Sequence, residues 1–105
     1  MNKLRRGTTP YFTATILDDV DLSTIKTAWL TFKQNGTIVL DKVTEDLTIN
    51  DKTISIRLSQ EDTLAFVGGV SAYVQLRLLT DSELAYATDE EYFSVSGIIK
   101  DGEIK

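Results

Sequence analysis

The stretch Val70–Leu78, VSAYVQLRL, alternates apolar with polar side chains from end to end. In an extended chain Val70, Ala72, Val74, Leu76 and Leu78 share one face and Ser71, Tyr73, Gln75 and Arg77 the other, whereas a helix would scatter both sets around its axis. It reads as a core strand with one buried side, and the same period recurs to either side of it. Downstream, Asp81 and Ser82 mark a turn into a last antiparallel stretch whose apolar members are Leu84, Tyr86, Phe93 and Val95, interrupted at Asp89, Glu90 and Glu91 by a bulge or loop. Upstream, Gly68 and Gly69 end a brief helical turn that runs to Phe66. Ser59 and Asp62 open that turn at capping-box spacing, and Leu64 and Phe66 serve as plugs for the end of the core.

The N-terminal half repeats the pattern. Phe12, Ala14 and Ile16 face one way and Tyr11, Thr13 and Thr15 the other in a strand from Tyr11 to Leu17, with Pro10 at its first position, where a missing ladder donor matters least. Asp18, Asp19, Val20 and Asp21 break the alternation, Leu22 and Ile25 tuck the connection under the sheet, and a strand runs from Lys26 to Lys33. Asn35 and Gly36 mark a hairpin. A two-residue loop sets Phe32 opposite Val39 and Leu30 opposite Asp41; a three-residue loop of Gln34, Asn35 and Gly36 with a glycine bulge pairs Phe32 with Ile38 and Leu30 with Leu40, and apolar pairing favours it. Leu47 and Ile49, a turn at Asn50, Asp51 and Lys52, and Ile54, Ile56 and Leu58 alternating with Thr53, Ser55 and Arg57 make another hairpin. These short strands predict an all-β fold, an immunoglobulin-like antiparallel β-sandwich with one short helical turn, with a small β-barrel as the alternative. At 105 residues, one domain spanning 1–105 and one core suffice.

Composition narrows the chemistry. The chain has no His and no Cys, which removes the side chain that titrates near neutrality, the strongest neutral-pH nucleophile and any disulfide or thiolate metal site. Sixteen acidic residues against 11 basic ones give a net charge of -5, which argues against a nucleic-acid partner. Lys3, Arg5 and Arg6 read as a solvated, mobile arm over residues 1–6. Gly7, Thr8, Thr9 and Pro10 follow where a signal peptide needs an apolar run, and no stretch approaches the ~20 apolar residues of a spanning helix, so neither a signal nor a membrane partner is expected. Asp18, Asp19 and Asp21 lack the spacing of a Ca²⁺ loop, as do Asp89, Glu90 and Glu91, and every acid sits in or beside a turn instead of an apolar stretch that would raise its pKa. Gly68 and Gly69 are not followed by the Lys and helix of a phosphate loop, and Lys33, Lys42 and Lys52 solubilise hairpin turns. The expectation is no catalytic residue, no metal and no cofactor.

Binding is the chemistry left. The alternation that puts Ala28, Leu30 and Phe32 inside turns Trp29 outward, and it does the same to Tyr73 and Tyr11. Outward aromatics cover a sheet edge, bury against a partner subunit or stack on sugar rings. The segment Tyr92–Ile99 contains Tyr92, Phe93, Val95, Ile98 and Ile99 with no charge before Lys100. It reads as an unprotected edge strand that pairs with a neighbouring chain, or else folds back onto the chain's own N-terminal strand. Trp29, Tyr73, Tyr92, Ile98 and Ile99 are therefore the candidate interaction surface, and a homo-oligomer is expected.

Arg6, Gly7, Thr8, Thr9 and Pro10, the strand from Tyr11 to Leu17, an aspartate-rich turn, Leu22 with Ser23, and a strand from Thr27 ending in the Gly36 hairpin resemble the N-terminal domain of the phage baseplate upper protein family of Gram-positive hosts. Leu58–Phe66, LSQEDTLAF, is similar to the strand-to-turn signature of those proteins. The resemblance implies a non-enzymatic, immunoglobulin-like structural or assembly module of a phage or prophage tail or baseplate. Its partners would be other phage structural proteins or itself, and its location the virion or, during assembly, the host cytoplasm. A carbohydrate-binding module using the surface aromatics is the alternative.

Overall fold

The computed structural model describes residues 3–15, 20–50 and 52–105; Ile16, Leu17, Asp18, Asp19 and Asp51, all assigned to strands or turns above, lie outside the described residues. In chain order the elements are β1 (Lys3–Arg5), β2 (Tyr11–Thr15), β3 (Ile25–Gln34), β4 (Thr37–Val43), β5 (Thr48–Ile49), β6 (Thr53–Arg57), α1 (Gln60–Leu64), β7 (Ala72–Thr80), β8 (Ala85–Ala87) and β9 (Glu91–Ser96). Short 3₁₀ turns at Leu22–Thr24 and Thr44–Asp46 lead into β3 and β5. One sheet has six strands, in the order β1-β9-β7-β3-β4 with β8 also paired to β7; the other has three, in the order β2-β6-β5. Neighbours are antiparallel except β1, which runs parallel to β9.

This order defines an immunoglobulin-like β-sandwich. β2, β6 and β5 take the places of strands B, E and D, while β3, β7 and β9 take those of C, F and G, with β4 beside β3 as C′ does in variable-type domains. Two distinct sheets facing one core exclude the barrel.

The inward residues of β7 (Ala72, Val74, Leu76 and Leu78) meet those of β3 (Ala28, Leu30 and Phe32), and Phe12, Ile54 and Ile56 close the core from the smaller sheet. Four phenyl rings do the work that a disulfide does in many immunoglobulin domains. Phe32 lies edge-on to Phe12, Phe66 and Phe93, with centroids 5.7, 6.0 and 6.2 Å away. Such packing adds about 0.5–1.5 kcal/mol per pair beyond the area buried.

The helical turn has the predicted cap. Ser59 Oγ accepts from the Asp62 N–H and Asp62 Oδ2 accepts from the Ser59 N–H, both at 3.0 Å. Lys42 Nζ reaches the other Asp62 oxygen at 3.0 Å. The helix stops at Leu64, earlier than the Phe66 expected, and Phe66 is buried while Leu64 is only partly so. Gln34 then clips the following loop: its amide donates to the Val67 and Val70 carbonyls and accepts from the Val67 N–H. Val70 accordingly precedes β7 instead of belonging to it.

Several expectations are corrected. Residues 3–6 of the expected arm are not loose, the first two residues lying outside the described ones: Lys3–Arg5 is a strand, Leu4 is buried, and Arg6 donates to the Phe66 and Leu64 carbonyls and pairs with Asp101. The hairpin at Asn35 and Gly36 has a two-residue loop, both residues having positive φ (52° and 74°), as a type I′ turn requires. A bulge at Val39 follows, so that Phe32 faces Leu40 and Leu30 faces Lys42, not the Ile38 and Leu40 expected, while Ile38 faces Lys33 on the outside. β9 is not an edge strand, because β1 and β7 flank it, which is the fold-back arrangement. Glu91 belongs to β9, Pro10 lies just before β2, and Leu84 is exposed in the turn where Glu83 takes a φ of 66°.

Candidate functional site

Strand parity builds two cross-strand rows on the outer face of the larger sheet. Ile38, Lys33, Tyr73 and Tyr92 stand side by side across β4, β3, β7 and β9. Val43, Trp29, Arg77 and Ala87 do the same across β4, β3, β7 and β8. The rows are four residues apart along β3, about 13 Å at the usual rise. Between them Thr31 donates to Asp41 at 3.0 Å.

Each row combines apolar surface with a cation. Lys33 Nζ lies 5.6 Å from the Tyr73 ring centre and 2.6 Å from Glu90, and the Tyr73 and Tyr92 rings are 6.3 Å apart. The Arg77 guanidinium lies 5.5 Å from the Trp29 ring. Trp29 is 46%, Tyr73 41%, Ile38 63% and Tyr92 70% exposed, so the apolar surface is open to solvent. Two shallow cavities flank these side chains. One, of about 230 Å³, is lined by Thr27, Trp29, Arg77, Leu79 and Ala85; the other, of about 190 Å³, by Thr31, Lys33, Ile38, Tyr73 and Glu90.

Trp29, Tyr73 and Tyr92 are thus brought onto one face as expected. Ile98 and Ile99 are not with them, since β9 ends at Ser96: Ile98 is half-buried with its Cδ1 against Gly7, and Ile99 is fully exposed. Tyr11 lies on the opposite sheet, under Arg57 and hydrogen-bonded to Ser55. Sequence reasoning missed Ile38, Val43, Lys33 and Arg77 as members of the face. Arg77 was readable from the alternation that exposes Tyr73, and Ile38 from the Asn-Gly preference for two-residue turns.

Among the described residues two carboxyls are displaced from their ordinary range, and both are structural. Burial raises that of Asp62, but hydrogen bonds from the Ser59 N–H and from Lys42 outweigh it and hold the group low. Asp21 is held low by the Ser23 hydroxyl and N–H, which it accepts at the start of the first 3₁₀ turn. Among the described residues no cluster of acids offers a metal site, and no helix is long and apolar enough to cross a membrane. What the outer face offers chemically is contact.

No family model and no curated protein matches this chain. Among solved structures, the V domain of amphioxus IgVJ-C2 is similar over 92% of this chain and 99% of its own length, at 12% identity and a TM-score of 0.42. The immunoglobulin-like assignment stands on the strand order and not on that likeness.

Proposed function

We propose that this chain is a non-enzymatic assembly module of a phage particle, associated with the tail or baseplate, that works through protein–protein contacts on the outer face of its larger sheet. The observation that carries the binding role is the pair of cross-strand rows, where aromatic and aliphatic surface is interleaved with Lys33 and Arg77. That mixture, rich in Tyr, Trp and Arg, is the composition of interface cores. The resemblance of Arg6–Thr8 and Leu58–Phe66 to baseplate proteins supports the phage setting. A sugar platform needs open ring faces, and here Arg77 covers one face of Trp29 and Lys33 one face of Tyr73.

Mass spectrometry of purified particles from a strain carrying the gene tests this reading. Detection at a stoichiometry comparable to known tail proteins supports it. Absence from particles, combined with glycan binding that Trp29→Ala abolishes, would replace it with the carbohydrate reading.

A further inference from the structure

The edges of the sandwich are not equally protected. β1 has three residues, two of them Lys3 and Arg5; β4 is broken by its bulge and carries Asp41 and Lys42; β5 has two residues and β8 three. Charge, bulges and brevity are devices that stop a sheet edge from pairing with another chain. β2 has none of them. Tyr11-Phe12-Thr13-Ala14-Thr15 is five residues without a charge, proline or bulge, paired to β6 in unbroken register and, among the described residues, to nothing on its other side.

The direction of its main-chain groups follows from one bond. The Leu58 N–H donates to the Pro10 carbonyl at 2.9 Å. By antiparallel alternation Phe12 and Ala14 turn their N–H and C=O groups to β6, while Tyr11, Thr13 and Thr15 turn theirs away from it. Beside this edge the sheets part into a cleft of about 320 Å³, lined by Phe12, Ala14, Leu30, Val74 and Leu76 and bordered by Thr88 and Glu91.

We propose that β2 is a self-association edge, pairing antiparallel with β2 of a second copy about a twofold axis at Thr13. In this register Thr13 meets Thr13, Tyr11 meets Thr15 and Phe12 meets Ala14. The three outward-turned residues of each copy form about six main-chain hydrogen bonds, and the two smaller sheets become one continuous sheet. A second copy is the occupant because the strand complements itself. It brings no charge that needs an opposite on the partner, and it sets its largest inward side chain against its smallest, over the cleft. The pairing leaves the outer face of each larger sheet free, so it does not depend on the docking role proposed above.

Sedimentation velocity of the full chain from about 1 to about 500 µM tests the pairing. A concentration-dependent dimer is expected. Thr13 is exposed, so charged replacements leave the core intact. Thr13→Lys and Thr13→Asp each place like charges across the axis and should weaken the dimer about fivefold or more. An equimolar mixture of the two should restore it, and Trp29→Ala should not affect it. A wild-type monomer across the range would overturn the proposal, as would undiminished dimers of either charged variant, failure of the mixture to recover, or loss of the dimer in Trp29→Ala.

Discussion

The outer face of the three-stranded sheet presents Thr13, Thr15, Thr48 and Thr53 around Tyr11 and Arg57, while that of the six-stranded sheet presents Trp29, Tyr73, Tyr92, Ile38 and Val43 around Lys33, Arg77 and Glu90. Both faces come from period-2 strands over the same core, so the fold demands nothing of either beyond compatibility with a pleated sheet. Threonine meets that demand and stays hydrated. Aromatic and aliphatic side chains meet it while leaving apolar surface in water, which a folded monomer gains nothing by doing. The smaller sheet's face is explained by folding alone, and the larger sheet's face is the one on which the docking proposal rests.

The contrast exists only while the common core holds. Phe32 touches the rings that join the sheets, so Phe32→Ala should cost about 3–5 kcal/mol in urea unfolding and disorder both faces together. A loss confined to one sheet would mean that the two do not fold as one unit.

Gly36→Ala acts on the larger sheet alone. Nothing lies near the added methyl, so the cost of about 1–2 kcal/mol is the backbone's, from the left-handed φ. Amide exchange should quicken around the β3–β4 hairpin and stay unchanged in β2 and β6.

Ser59→Ala, which removes the cap of α1, should cost about 1 kcal/mol. Asp62 adds a pH signature. Its folded pKa lies below the ordinary 3.8, so its contribution is present above that value and is lost as pH falls through the folded pKa. Melting temperature should therefore fall on going from about pH 5 to about pH 2, and less steeply in Asp62→Asn. Equal slopes would show that the Ser59 and Lys42 contacts contribute nothing to stability.

The fold was legible because Val70–Leu78 and Ile54–Leu58 carry an alternation that burial rewards, and because Ser59 and Asp62 form a local cap needing no tertiary partner. What escaped was non-local. Arg6 and Leu4 look like an arm until β9 supplies the ladder and Phe66 the carbonyl. Ser55 is buried against its own period because the Tyr11 hydroxyl covers it. Of the outer face, the three aromatics could be read from parity. Ile38 was misplaced because the three-residue loop set it opposite Phe32 on the inside, whereas the two-residue turn by itself sets it opposite Lys33 on the outside.

Incorporation of face variants into phage particles tests the central claim most directly. Trp29→Ala/Tyr92→Ala should still fold, at a cost of about 1–3 kcal/mol in lost strand packing, yet be depleted from purified particles about tenfold or more; Thr48→Lys, on the smaller sheet, should incorporate normally. Equal incorporation of both variants, or depletion of Thr48→Lys alone, would contradict the assignment of docking to the larger sheet.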